Sequence, residues 1–152
     1  MAARKTIPAI LLEKKVINEE QFEKIKLENI NTGKSFEEII KAHNFVSEEE
    51  LTRAKAETIN VPFVKLSETS VSPQALSLLP EVVAKHYLVL PTTFDKPTNV
   101  LSVAMANPLD FEAIDFVEKK SGCKIKPFLA VESEIASFID KRYAKSLVSE
   151  GT

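Results

Sequence analysis

The sequence predicts an α+β chain: an N-terminal four-helix repeat subdomain followed by a small α/β sandwich with the element order βααββαβα. Three observations predict it. A helical pattern recurs at an offset of 29 residues, so that Ile10 and Leu11 answer Ile39 and Ile40, and Gln21 and Phe22 answer Glu50 and Leu51. Each copy carries a helix-start signal at the same place. After residue 60 the pattern changes to short β-branched and apolar runs that alternate with segments of helical spacing.

The first copy opens with a short helix ending at the apolar pair Leu11/Leu12, and the second with one ending at Ile39/Ile40. Asn18 with Gln21, and Ser47 with Glu50, fit a capping box: a side-chain oxygen takes an orphan N–H, and the third residue reaches back. Ile17 before Phe22 and Val46 before Leu51 have the spacing of a hydrophobic staple. Glu19, Glu20, Glu48 and Glu49 put negative charge at the positive end of the helix dipole. The same offset carries Ile7 onto Phe36, Lys26 onto Lys55 and Glu28 onto Glu57. Residues 6–58 therefore read as four helices packed as two related hairpins, with Asn31-Thr32-Gly33 as the helix-ending turn between them.

Val61–Leu66 is short, β-branched and aromatic, which predicts a strand followed by a polar loop to Ser72. Ser72-Pro73 is a cap followed by proline at the first helical position, opening a helix through Leu79. Pro80 interrupts, and Glu81–Tyr87 is a further short helix. Leu88–Phe94 and Asn99–Ala106 are apolar runs joined by a turn near Pro97, hence a hairpin. Asp110–Ser121 carries Phe111, Ile114, Phe116 and Val117 at helical spacing and stops at Gly122. Cys123–Ala130 reads as a strand, and Glu132–Lys145 as a last amphipathic helix using Ile135, Phe138, Ile139 and Tyr143. The expected organisation is 1–58 as the helical repeat subdomain, 59–145 as the α/β subdomain and 146–152 as a disordered tail.

Composition narrows the function. The 152 residues hold 20 Lys/Arg and 22 Asp/Glu, for a net charge of −2. The charges are spread evenly and no nucleic-acid motif occurs, so no nucleic-acid partner is expected. Cys123 is the one cysteine, which rules out a disulfide framework or a cysteine metal cluster within the chain. His43 and His86 stand in unrelated contexts and read as surface or packing residues, so no metal is expected. Met1-Ala2-Ala3-Arg4-Lys5 is followed by too short an apolar run for a signal peptide, and no apolar stretch reaches membrane-spanning length. A cytoplasmic protein without direct membrane insertion is expected.

Catalysis finds no foothold. Gly33-Lys34-Ser35 copies the end of a phosphate-binding loop, but Glu28 stands where that loop needs its first glycine, and the segment follows a helix rather than a strand. The glutamate runs at 19–20 and 48–50 are helix starts rather than an acid/base pair. Nothing assembles a nucleophile, a base and an oxyanion donor, so no catalytic residue is assigned and the chain is not expected to be an enzyme.

The stretches Glu50–Leu66, Leu78–Pro91 and Val103–Asp115, with Ser121–Pro127 and Ile139–Tyr143, resemble the N-terminal domain of type II secretion and type IV pilus assembly ATPases, the GspE/PilB family. The resemblance covers about residues 6–145. It implies a non-catalytic docking and regulatory domain, either a fragment of a longer ATPase or a stand-alone relative. Its implied partners are the cytoplasmic domains of inner-membrane secretion or pilus platform proteins, and a downstream hexameric ATPase module. It implies a place at the inner membrane held through those partners, and no cofactor.

The alternative it implies is a sensor of cyclic di-GMP. In MshE-type relatives each helical repeat begins with an Arg, has glycines two and nine positions on, and ends with Gln. Here those positions are Thr6, Pro8, Lys15 and Asn29 in the first copy, and Ser35, Glu37, Asn44 and Thr58 in the second. All eight depart from the pattern. The remaining candidates for the ligand are Asn29, which keeps an amide, and Lys5 and Lys34, which lie one residue before the Arg positions but lack the planar guanidinium fork.

Overall fold

A computed structural model describes the backbone of residues 5–150 and the side chains of residues 5–144. The fold is α+β, with eight α-helices and a three-stranded sheet among the described residues. The chain divides into two compact units between Asn60 and Val61.

The first unit holds α1 (Ile7–Glu13), α2 (Glu19–Thr32), α3 (Phe36–His43) and α4 (Glu48–Ile59). Both capping boxes form. The Asn18 side chain accepts from the Gln21 N–H at 2.8 Å while the Gln21 side chain accepts from the Asn18 N–H at 2.9 Å. Ser47 and Glu50 make the same reciprocal pair, each bond 3.1 Å. Gly33 ends α2 in the left-handed region at φ 74°, so the glycine closes a helix and does not open a phosphate loop. The core is built from repeat-equivalent positions: Ile10 with Ile39, Leu11 with Ile40, Ile17 with Val46, and Ile25 with Ala54.

Each repeat also turns through a left-handed residue after its first helix, Lys15 at φ 61° and Asn44 at φ 56°. Asparagine tolerates that region, whereas lysine there carries the Cβ penalty. Replacing Lys15 with glycine is therefore expected to stabilise the protein by about 1 kcal/mol in urea unfolding. An unchanged midpoint would show that this turn is not strained.

The second unit begins differently from the expectation. Val61–Leu66 is not a strand of its own; Phe63 makes a single parallel bridge with Leu129. Pro62 has no N–H, so the contact is two bonds: the Leu129 N–H donates to Pro62 O, and the Val64 N–H donates to Leu129 O, both at 2.9 Å. The chain then winds into a 3₁₀ turn at Leu66–Glu68. The remaining elements are α5 (Pro73–Ser77), α6 (Glu81–Tyr87), β1 (Val89–Asp95), β2 (Val100–Met105), α7 (Phe111–Ser121), β3 (Lys124–Leu129) and α8 (Glu132–Glu150). The order βααββαβα thus holds with its first strand reduced to a bridge. Helix α8 runs beyond Lys145, since no glycine or proline interrupts it before Gly151. It takes in residues 146–150 of the expected tail, and residues 151–152 lie outside the described residues.

The sheet is mixed: β1 runs antiparallel and β3 parallel to the central β2. A bulge at Thr92 lets its buried hydroxyl donate to Ser102 O at 3.0 Å. Leu90, Leu101, Val103, Val117, Ile135 and Ile139 belong to one core cluster. In α7 the face turned inward is Ala113 and Val117, while Phe111 is 71% exposed and Phe116 is 37% exposed. Phe116 instead lies beside Tyr87, ring centres 5.3 Å apart.

The outer edge of β3 is closed. Residues 124 and 130 donate inward, to Asn99 O and Met105 O, so by alternation Ile125, Pro127 and Leu129 face outward. The Ile125 N–H donates to Glu118 Oε2 at 3.2 Å, Pro127 has no N–H, and Leu129 is bonded to Pro62. No N–H is left on that edge for an added strand.

Candidate functional site

The only positions for which the sequence suggests a ligand lie in the helical unit. The structure commits nearly all of them to the fold itself. Thr6 and Ser35, where the Arg of each repeat would stand, are helix N-caps: Thr6 Oγ1 accepts from the Ala9 N–H at 3.3 Å, and Ser35 Oγ from the Glu38 N–H at 3.2 Å. Pro8 is buried in the first turn of α1. Glu37 sits in the first turn of α3 and pairs with Lys55 at 3.5 Å. Thr58 Oγ1 donates to Ala54 O within α4 at 3.1 Å.

Asn29, Lys34 and Lys5 fare similarly. The Asn29 amide donates to Lys34 O at 2.7 Å, and the Lys34 N–H donates to Thr32 Oγ1 at 3.2 Å. Both bonds pin the turn between α2 and α3. The Lys34 side chain is exposed. Lys5 Nζ lies 2.5 Å from Glu13 Oε2. The Lys5 hydrogen bond and charge hold the Glu13 carboxyl below its usual range. Asn29 and Lys34 thus come together at one turn, and Lys5 lies elsewhere.

Lys5 lines a cleft of about 500 Å³ with Ile10, Glu13, Lys14, Glu57, Thr58 and Asn60. Its cations already have acidic neighbours, Lys5 with Glu13 and Lys14 with Glu57 at 2.9 Å. A phosphate entering it would meet two carboxylates as well as two ammonium groups, which leaves little net attraction. Lys14 and Glu57 were not singled out from the sequence. The signal was available, because the repeat offset carries Lys14–Glu57 onto His43–Glu28, and His43 Nε2 lies 2.7 Å from Glu28 Oε1. His43 also stacks on Phe45, ring centres 4.9 Å apart. His86 packs edge-on against Tyr87, and Cys123 is a buried free thiol. Among the described residues, no cluster of three or more His, Cys, Asp or Glu could hold a metal ion.

Residues 59–149, essentially the second unit, match the MshEN domain family model. The type IV pilus assembly ATPase PilB of Thermus thermophilus is 25% identical over 139 residues, which cover 91% of this chain and 16% of that protein. The chain therefore spans only a small part of this relative's length. Among solved structures, that of MshE with cdg superposes with a TM-score of 0.68 at 26% identity, covering 91% of this chain and 99% of that one. The N-terminal domain of XpsE gives 0.59 at 21% identity, covering 92% and 97%, a likeness of fold.

Proposed function

The chain belongs to the MshEN domain family, and from that premise we propose that it is a docking and regulatory domain of a type IV pilus or type II secretion ATPase. What it matches is an N-terminal domain of such ATPases and not their catalytic module. In this reading it couples the hexameric motor to cytoplasmic domains of inner-membrane platform proteins, and works on the cytoplasmic side of that membrane. No helix among the described residues is long and apolar enough to cross a membrane, and in this reading the attachment runs through partners.

The observation that carries the reading is the fate of the repeat positions. Where a dinucleotide would need arginine forks and approachable backbone, Thr6 and Ser35 cap helices and Lys15 and Asn44 fill the turns. The helical frame is kept and the ligand groups are not. A second reading, a cyclic di-GMP sensor, is favoured by one observation, the likeness to MshE solved with cdg. Calorimetry separates the two. The expected result is no binding of cyclic di-GMP tighter than about 10 μM at physiological salt, roughly −7 kcal/mol. Binding to cytoplasmic domains of platform proteins is expected in the same buffer. Tighter dinucleotide binding that weakens on substitution of Lys5, Asn29 or Lys34 would reverse the ranking.

A further inference from the structure

The two repeats meet through a self-complementary interface. Helix α1 packs on α4 and α3 packs on α2, and these are the same contact under the 29-residue offset. The polar side-chain contacts obey the same rule. Lys14 of the first repeat reaches Glu57 of the second, and His43 of the second reaches Glu28 of the first. The shared core is drawn from equivalent positions, so neither repeat buries its apolar face alone. This is the isologous pattern of a two-fold dimer, in which i meets j and j meets i, enclosed within one chain.

We propose that a second copy of this chain can supply the missing half, by exchange of helical repeats hinged at Gly33-Lys34-Ser35. In the exchanged dimer the first repeat of one copy packs on the second repeat of the other, and every contact between repeats is kept. Only the hinge differs. Three features hold it closed: the left-handed Gly33, the Asn29 amide on Lys34 O, and the Lys34 N–H on Thr32 Oγ1. An added Cβ at Gly33 would meet nothing within 4 Å, so alanine there strains the backbone without a clash. It also favours running α2 on into the hinge. In dilute solution the short connection gives each repeat its own partner at an effective concentration of the order of millimolar. Exchange is therefore favoured where copies are crowded together.

The test mixes full-length chains at natural abundance and uniformly ¹⁵N-labelled, unfolds them together and refolds them at high concentration. Monomer and dimer are then separated, and a zero-length carbodiimide couples Lys14 to Glu57, an exposed amine–carboxylate pair. Exchange predicts that in the dimer about half of the Lys14–Glu57 cross-linked peptides carry one light and one heavy partner, by random pairing of copies. The hinge variant Gly33→Ala with Asn29→Ala should raise the dimer fraction by roughly tenfold, the factor that one strained left-handed residue supplies. Two results overturn the proposal: no dimer from either protein, or a dimer whose Lys14–Glu57 peptides are uniformly light or heavy. If the hinge variant does not fold, the wild-type mixture decides on the same criterion.

Discussion

Truncation of Leu51 to alanine is expected to destabilise the helical unit by about 2–5 kcal/mol, enough to unfold a large part of a marginally stable domain. Leu51 is 4% exposed and sits in the core cluster with Val46, the residue before the cap of its own helix. Its loss leaves a void in a close-packed cluster that also holds Ile10, Ile39, Ile40 and Ala54, drawn from both repeats. Phe22, the equivalent residue in the first repeat, is only partly buried, and Lys26 lies over its ring at 5.2 Å. Phe22→Ala should therefore cost less than Leu51→Ala, although the sequence treats the two alike. Both tyrosines lie beyond residue 60, so tyrosine emission reports on the second unit while circular dichroism at 222 nm reports on helices throughout. Urea unfolding read by the two signals should show Leu51→Ala acting on the helical signal. A loss below about 1 kcal/mol would mean that Leu51 is not a core residue.

The helical unit was legible because its information is local. Each cap needs only residues three positions apart, and Asn18, Gln21, Ser47 and Glu50 form the bonds their spacing implies. Gly122 likewise ends α7, at φ 73°. The strand at Val61–Leu66 failed because its composition fits a strand but its pairing does not. Its partner edge offers one outward-facing residue that can exchange bonds, Leu129, since Ile125 is taken by Glu118 and Pro127 lacks an N–H. Such non-local competition leaves no trace in a six-residue window. Phe111 and Phe116 misled for a related reason. Helical spacing says that some face is apolar, but not which face meets the sheet, and here the smaller Ala113 and Val117 allow the close approach.

The candidate site was legible by what it lacks. The eight departures from the ligand pattern are plain in sequence, and the structure adds where those residues went: two are caps, two are left-handed turns, one fills the first turn of α1, one makes an ion pair and two bond backbone carbonyls. The offset says which positions of the two repeats are equivalent but not which of them meet, so the crossed contacts need the fold. His43 aligns with Lys14 and Glu57 with Glu28, so each contact joins a nitrogen-bearing side chain of one repeat to a glutamate of the other.

Tyr143→Phe is expected to remove a specific alkaline instability from the second unit. The Tyr143 hydroxyl donates to Leu79 O at 2.8 Å in a buried setting, tying α8 to the chain just before α6. Burial, reinforced by the Glu81 carboxylate, pushes the phenol well above its ordinary value near 10. The neutral phenol is therefore the form the folded protein holds. Below about pH 10 both folded and unfolded chains carry the proton and this group adds no pH dependence. Above it the unfolded chain releases the proton while the folded chain keeps it, so stability falls by about 1.4 kcal/mol for each further pH unit until the folded value is reached. The phenylalanine variant loses the hydrogen bond and leaves Leu79 O without its buried donor, which costs about 1–3 kcal/mol at neutral pH. Its stability curve should then fall less steeply than the wild type above pH 10, so the gap between the two proteins narrows as the solution becomes more alkaline. Parallel curves from pH 8 to pH 11 would mean that the Tyr143 phenol ionises in the folded protein as it does in the unfolded chain, and that the bond to Leu79 does not hold its proton.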